Sequence, residues 1–203
     1  MQNVEETKDL RVRRTRKLLQ QALMELTVEK GFLAVTIHDL TERAMINRST
    51  FYRHYLDKYD LLEQYMQEVY ELVALEAPPI QNAGETGKEV PYGLINLLKH
   101  IQRYADFYRV MFGAKGDPAF TQHFRRNSEK RFRYLLSTES IATTSNLPPL
   151  SLRVNYVSYA GIGAIVWWLE NGQPCSAEQL AEWLGQFSTK VTGLSPQESR
   201  RDG

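Results

Sequence analysis

The chain has 203 residues, of which 42% are hydrophobic and 24% charged, as in an ordinary globular protein with a buried core. Its single cysteine, Cys175, excludes an internal disulfide. The longest apolar run, residues 154–169, is shorter than the roughly 20 residues of a membrane span, and residues 1–35 lack the apolar centre of a secretory signal. We therefore expect one large or two small domains and a cytoplasmic location.

The net charge of +1 is unevenly distributed along the chain. Residues 1–58 hold 11 Lys and Arg against 8 Asp and Glu, a net charge of +3, whereas residues 59–203 hold 14 against 16, a net charge of −2. A basic N-terminal part favours attraction to nucleic acid. Its densest cluster is either a solvated helix start or a contact with phosphates or the minor groove. This cluster consists of Arg11, Arg13, Arg14, Arg16 and Lys17.

Helical periodicity dominates the sequence, and no alternating strand pattern of any length is present. A first helix is predicted over about 10–30, with Gly31 as its C-terminal stop. Its apolar face consists of Leu19, Ala22, Leu23 and Leu26.

Residues 36–58 have the spacing of a helix-turn-helix. Thr36 and Asp39 form a capping-box pattern, which predicts a helix beginning at Ile37. Residues 45–47 are the predicted turn, and a second short helix is predicted over about 48–54. The inward positions of the turn and of this second helix are Ile46, Thr50 and Phe51.

The outward side chains of this second helix combine a guanidinium group, hydroxyls, a phenol and an imidazole, which suit contacts with base edges and phosphates. They belong to Arg48, Ser49, Tyr52, Arg53 and His54. Asp57 and Asp60 then begin another helix, and Lys58 lies in its first turn.

Six further helices are predicted behind the motif, separated by Gly, Pro and polar residues. They cover about 58–76, 92–105, 106–112, 118–136, 151–171 and 177–191. Residues 81–89 and 138–149 are predicted loops, and 194–203 a frayed tail.

The N-terminal pattern resembles the DNA-binding domain of the tetracycline-repressor (TetR) family of bacterial transcription regulators. The likeness covers about residues 12–62 and rests on EKGF at 29–32, TI at 36–37, STFYRHY at 49–55 and DKYDLL at 57–62. Met45 departs from the family, which often has glycine in the turn. It implies either an ordinary backbone or modest strain.

The resemblance implies an all-α, two-domain architecture of nine helices. Residues 1–57 are the expected helix-turn-helix domain, and residues 58–203 the expected helical domain for effector binding and dimerisation. The implied partners are a double-stranded DNA operator, a second copy of the chain and a small-molecule effector. No cofactor, metal ion or membrane is implied.

By motif position, the resemblance assigns eight residues to DNA. Arg48 is predicted to contact a guanine through O6 and N7. Thr36, Tyr52 and Lys58 are predicted to hold phosphates, and His54 to do either or to pack on the neighbouring helix. The remaining three are Ser49, Thr50 and Arg53.

Residues 154–169 are apolar nearly all round, as in a helix covered on both faces. With the amphipathic residues 180–191, they resemble the helix pair with which family members form a four-helix dimer interface. The alternative is a core helix of a monomer. The predicted interface consists of Ala160, Gly163, Ala164, Trp167, Leu180, Leu184 and Phe187.

Aromatic side chains are abundant between residues 59 and 168, and most are core residues by default. Family members often keep a ligand cavity among such residues. The predicted lining here is Tyr65, Tyr104, Tyr108, Met111, Phe112, Tyr134 and Trp168. The basic run 123–133 is either a solvated face or a site for an anionic ligand or acidic partner.

Nothing in the sequence supports catalysis, since it has no Gly-rich phosphate loop, no paired cysteines and no histidine ligand spacing. We expect a homodimeric regulator of a palindromic operator, a repressor that a small effector releases. The alternative is a family-like DNA-binding protein without ligand control, which acts through a protein partner as a co-regulator or architectural factor.

Overall fold

The computed structural model describes residues 2–75, 92–138 and 148–192, and within these ranges the chain forms nine α-helices and one 3₁₀ turn, with no strand. The elements are α1 (Gln2–Lys30), the 3₁₀ turn (Phe32–Ala34), α2 (Ile37–Arg43), α3 (Arg48–Tyr52), α4 (Lys58–Leu75), α5 (Tyr92–Arg103), α6 (Ala105–Phe112), α7 (Pro118–Thr138), α8 (Leu150–Glu170) and α9 (Ala177–Thr192). The all-α prediction is confirmed. The predicted loop at 81–89, most of that at 138–149 and the tail at 194–203 lie outside the described residues.

Two helix boundaries in the first 60 residues differ from the sequence prediction. Helix α1 begins at Gln2 instead of about residue 10, because the polar residues before the apolar face contain no glycine or proline to end the helix. Helix α3 ends at Tyr52 instead of His54. Its last turn tightens, since the amides of Arg53 and His54 donate to carbonyls three residues back.

The described residues pack as two compact units. The first contains residues up to 72 together with 106–117, and the second contains 73–105 and the rest from 118 onward. In the first, α1 packs on the 3₁₀ turn and α2, and α2 packs on α3. In the second, α9 packs on α5 and α8, and α8 packs on α7. These are packing units, and the functional division at residues 57 and 58 stays a prediction.

Local hydrogen bonds explain where several helices begin. The capping box of α2 is present, with Thr36 Oγ1 accepting from the Asp39 amide at 3.2 Å and Asp39 Oδ2 accepting from the Thr36 amide at 2.8 Å. Asp57 Oδ1 accepts from the amide of Asp60 at 2.9 Å at the start of α4. Ser176 Oγ accepts from the amide of Gln179 at 3.1 Å at the start of α9. All three helix starts had been predicted.

Gly31 and Met45 are two of the described residues at which the chain leaves a helix with a positive φ, in the left-handed region of backbone space. Gly31 ends α1 with φ of 84°, and a Cβ added there would lie 2.9 Å from Lys115 Cβ, so only glycine fits. Met45, in the turn between α2 and α3, has φ of 52° although it carries a side chain. The backbone at Met45 is therefore strained, which decides between the two alternatives that the sequence left open.

We expect Met45→Gly to raise the free energy of unfolding by roughly 0.5–1 kcal/mol, because glycine adopts a positive φ without a Cβ clash. The Met45 side chain is 92% exposed, so its removal loses little packing. Met45→Ala is the matched control, since it removes the side chain and keeps the clash. Urea denaturation measures both, and a glycine variant no more stable than the alanine variant would contradict the strain.

Candidate DNA-binding surface

In the helix-turn-helix, one face of α3 packs on a buried apolar core. Leu40 and Ala44 of α2 and Phe51 of α3 are buried, and Ile46 and Thr50 are half-buried. Of these, Ile46, Thr50 and Phe51 are the inward positions expected from the sequence. Because α3 covers the core with one face, its opposite face is open to solvent and available to a DNA groove.

The exposed side of α3 carries Arg48, Ser49 and Tyr52, and its C-cap residue Arg53 is exposed as well. Arg48 Nη2 donates to the Tyr52 hydroxyl at 3.2 Å, and its guanidinium lies 5.6 Å from the centre of the Tyr52 ring. Arg53 Nη2 donates to Thr50 Oγ1 at 3.1 Å. These contacts one helical turn apart restrict the rotamers of both arginines and orient them before any ligand is bound.

His54 lies half-buried behind this surface. Burial, followed by the charges of Arg16 and Arg53, lowers the pKa of His54 below its ordinary value of 6.5. The lowered pKa favours the neutral imidazole, which has one donor and one acceptor nitrogen. An approaching phosphate would favour its protonated form.

Thr36 is exposed at the start of α2, and its hydroxyl donates to Asp39 Oδ2 at 2.7 Å. Lys30 Nζ lies 2.6 Å from the same oxygen. These hydrogen bonds, from Lys30 first and then Thr36, hold the pKa of Asp39 far below its usual range. The carboxylate therefore remains ionised and keeps the helix start in place.

Lys58 is half-buried, and its ammonium group donates to three backbone carbonyls, those of Phe32, Leu33 and Val35. Burial is the main cause of a lowered pKa at Lys58, and the charges of Asp117 and Asp57 oppose it. The phosphate contact expected for Lys58 stays a prediction. In this structure its N–H groups are directed at the protein.

One contact of the DNA-binding helices has no counterpart in the sequence reasoning. Arg43 of α2 forms a two-pronged pair with Glu29 of α1, with both N–O distances at 2.8 Å, and also donates to Glu25 at 3.1 Å. The residues are 14 and 18 positions apart, so no local pattern indicates the pair. It joins α2 to the C-terminal half of α1.

The basic cluster predicted near the N-terminus lies within the continuous helix α1. Arg11, Arg14 and Lys17 are exposed. Arg16 is half-buried and lies 4.0 Å from Glu68 of α4. A continuous helix over residues 10–17 does not fit a minor-groove arm, which is an extended segment. The solvated helix start and the phosphate contact both stay predictions.

The predicted ligand residues are divided between the two packing units. Tyr65, Tyr108 and Met111 are buried in the first unit, and Phe112 is half-buried there. In the second unit, Tyr104 is half-buried and Trp168 is buried, with its indole N–H donating to the Cys175 carbonyl at 2.9 Å. The side chain of Tyr134 lies outside the described residues. A shared pocket stays a prediction.

The hydroxyls of two of these tyrosines contact methionine sulfur. Tyr65 Oη lies 3.3 Å from Met24 Sδ, and Tyr108 Oη lies 4.0 Å from Met66 Sδ. A thioether is a weak acceptor, and methionine side chains repack easily. These two contacts are therefore weak hydrogen bonds.

The predicted dimer residues include an exposed and a buried group. Ala160, Gly163, Trp167 and Phe187 are exposed, and Ala164 is half-buried. Leu180 and Leu184 are buried within the second unit, where α9 packs on α5 and α8. The sequence reasoning missed four exposed neighbours on α8 and α9: Leu152, Tyr156, Tyr159 and Trp183. Large apolar residues repeat every three to four positions on α8, and this spacing could have indicated that they share one face.

The basic run on α7 is mainly a solvent-facing surface. Arg126, Lys130 and Arg133 are exposed, as the solvated-face alternative expects. Arg125 instead pairs with Glu129, and its guanidinium lies 5.2 Å from the centre of the Tyr159 ring.

Among the described residues, no three His, Cys, Asp or Glu are grouped as metal ligands. No described helix is long and apolar enough to cross a membrane.

A short exposed helix with an arginine at its start and another just after its end, held by a preceding helix and a tight turn, is the arrangement of a helix-turn-helix DNA-binding domain. Comparison with known proteins identifies its family. Residues 19–65 match the model described as "Bacterial regulatory proteins, tetR family", and residues 88–190 match the TetR "Transcriptional regulator C-terminal region". The chain belongs to the TetR family and is a transcriptional regulator with a DNA-binding domain. Members of this family are transcription factors, not enzymes.

A bacterial relative agrees with this assignment. An uncharacterised HTH-type transcriptional regulator of Bacillus subtilis (strain 168), YxbF, is 43% identical over 60 residues. The match covers 29% of this chain and 16% of that relative, so the chain covers well under two thirds of the relative's length.

Solved structures show the same fold along most of the chain. A TetR transcriptional regulator from Streptococcus agalactiae 2603V has a TM-score of 0.65 at 24% identity, covering 91% of this chain and 98% of that one. The dihydroxyacetone kinase operon activator DhaS has a TM-score of 0.62 at 18% identity, covering 90% and 98%.

We expect Arg48→Ala to weaken operator binding by about 1–3 kcal/mol and to relax the preference at one base pair. The reason is the orientation of its guanidinium by Tyr52 at the start of α3. Arg126→Ala, which removes an exposed arginine from α7, is the charge control. Fluorescence anisotropy with operator and random DNA measures both. Equal losses on the two DNAs would argue against base recognition by Arg48.

Proposed function

We propose that this regulator binds a palindromic operator as a homodimer and represses transcription until a small-molecule effector releases it. Residues 1–57 contact DNA, and residues 58–203 bind the effector and dimerise. The observation that carries the proposal is the pair of exposed, preoriented arginines at α3, Arg48 and its C-cap residue Arg53. The exposed aromatic surface on α8 and α9 supports dimerisation.

Dimerisation through α8 and α9 explains why large apolar side chains face solvent in a single chain. Tyr156 and Phe187 are 61% and 63% exposed, and Trp167 is 46% exposed. Contiguous exposed apolar surface of this kind marks a protein interface. Gly163 lies on the same stripe of α8, where a small residue allows another helix to approach closely.

We expect Gly163→Leu to weaken dimerisation and operator binding together, because overpacking a close helix contact typically costs about 1–3 kcal/mol. Within one chain, a Cβ at Gly163 meets nothing within 4 Å, so the fold of the protomer tolerates the change. Gly161→Leu is the matched control, since Gly161 has the same open surroundings and lies roughly 200° around the helix.

Sedimentation velocity at micromolar concentration separates these outcomes. The parent and Gly161→Leu are expected to be dimers, and Gly163→Leu a mixture shifted toward monomer. A monomeric parent protein would contradict the proposed interface.

Effector control is supported by the chemistry of the tyrosines in the first unit. Tyr65 and Tyr108 direct hydroxyls at methionine sulfurs, contacts that a ligand oxygen or nitrogen would improve. Predicted neighbours such as Met111 and Phe112 supply apolar surface. A neutral or weakly anionic, partly aromatic effector fits this set of groups.

Release by an effector requires that it binds the DNA-free conformation more tightly than the DNA-bound one. Such an effector favours a separation of the two recognition helices that no longer matches successive major grooves, about 34–36 Å apart. Selection of bound sequences from a random DNA pool first supplies the operator for these measurements.

We expect a thermal-shift screen to find compounds that stabilise the protein and release the operator. A compound at 100 times its dissociation constant raises the free energy of unfolding by about 2.7 kcal/mol. Tyr108→Phe removes one buried hydroxyl and is expected to weaken the response, whereas Lys130→Met, which changes an exposed side chain of α7, leaves it unchanged. Hits that stabilise the protein without releasing DNA would favour the alternative of control by a protein partner.

A reporter gene behind the selected operator determines the sign of regulation. Repression predicts higher expression when the regulator is deleted. One structural neighbour is named as an operon activator, so the assay includes a weak promoter on which activation is also visible.

A further inference from the structure

Lys58 reaches back from the first residue of α4 to the link between α1 and α2. Its Nζ lies 3.0 Å from the carbonyl oxygen of Phe32, 2.9 Å from that of Leu33 and 2.8 Å from that of Val35. An ammonium group has three N–H donors, and these three acceptors match their number. The charge is thus held by backbone groups of another part of the chain.

The surroundings complement a positive charge in a second way. Lys58 Nζ lies 4.9 Å from the centre of the Phe32 ring and 5.4 Å from that of the Tyr59 ring. The two rings contact each other edge to face, with centres 5.4 Å apart. The electron-rich faces of aromatic rings attract cations at these distances.

The position of this contact along the chain gives it a role. Val35 immediately precedes Thr36, the N-cap of α2, and Lys58 begins α4 after the end of α3. The ammonium group therefore joins the residue before the helix-turn-helix to the residue after it. Residues 36–57, with α2 and α3, form a closed loop whose two ends are held together by one side chain.

We propose that Lys58 is a positioning residue for DNA binding. By joining the two ends of residues 36–57 it acts as a clamp that fixes the position of α3, and it does not contact a DNA phosphate. The inference rests on the DNA-binding function. It gives Lys58 a role different from the phosphate contact that the sequence predicted. It predicts that Lys58 determines affinity and specificity through the geometry of the recognition surface.

Salt dependence distinguishes a clamp from a phosphate contact. A lost phosphate contact reduces the slope of log affinity against log salt by about 0.9 and weakens operator and random DNA alike. A lost clamp leaves the slope unchanged, because the number of phosphates contacted is the same. We expect Lys58→Met to lower operator affinity at least tenfold, to lower the ratio of operator to random affinity, and to keep the parent slope.

Two further variants complete the experiment. Lys58→Arg keeps the charge but replaces a three-pronged donor with a planar fork. The clamp predicts that it resembles Lys58→Met, whereas a phosphate contact predicts that it resembles the parent. Lys130→Met removes one exposed lysine from α7 and controls for net charge.

A measurement on the unmodified protein does not depend on the folding of a variant. Acylation of individual lysines, followed by mass spectrometry, is compared with and without operator DNA. The clamp predicts that Lys58 is labelled at least tenfold more slowly than Lys130 in both states. A lowered pKa by itself would speed the labelling of Lys58, so protection reports restricted access.

Labelling of Lys58 at the rate of Lys130 in the free protein would overturn the inference, as would a salt slope lower by about one in Lys58→Met. A parent protein that binds no DNA would instead contradict the proposed function. In that case the labelling experiment still decides whether Lys58 is enclosed.

Discussion

The recognition helix depends on the burial of a few apolar side chains, because neither helix of the motif is stable by itself. Helix α2 has seven residues and α3 has five. Isolated helices of this length do not persist in water. Leu40 and Phe51 are completely buried, and Ala44 nearly so. The polar groups that are predicted to contact DNA are thus positioned by a core to which they do not belong.

Features set by interactions within three or four residues were predictable from the sequence. The start of α2 follows from Thr36 and Asp39, and that of α9 from Ser176 and Gln179. The buried and exposed faces of the helix-turn-helix follow from helical spacing. In each case both partners lie in one short stretch, so their geometry is determined once the helix forms.

Features set by distant partners were not predictable. Lys58 contacts carbonyls 23 to 26 residues earlier, and Arg43 contacts Glu29 from 14 residues away. The sequence indicated a phosphate role for Lys58 because the first turn of a helix has free N–H groups, but it gave no sign of the carbonyls behind it. Met45 shows a related limit. A residue with a side chain at a turn is compatible with either sign of φ, and only the closure of α2 onto α3 selects the positive value.

The apolar surface of α8 shows how one sequence pattern serves two purposes. Val154, Ile165 and Trp168 are buried in the second unit, whereas Tyr156 and Trp167 on the same helix face solvent. A helix that is apolar all round requires cover on both faces, and a single chain covers only one. On α9 the same division separates buried Leu180 and Leu184 from exposed Phe187. Leu180 and Leu184 hold α9 in the protomer and are therefore not available to a second copy. Family members act as dimers, and the proposed contact uses the exposed stripe of α8 and its small residues, Ala160 and Gly163.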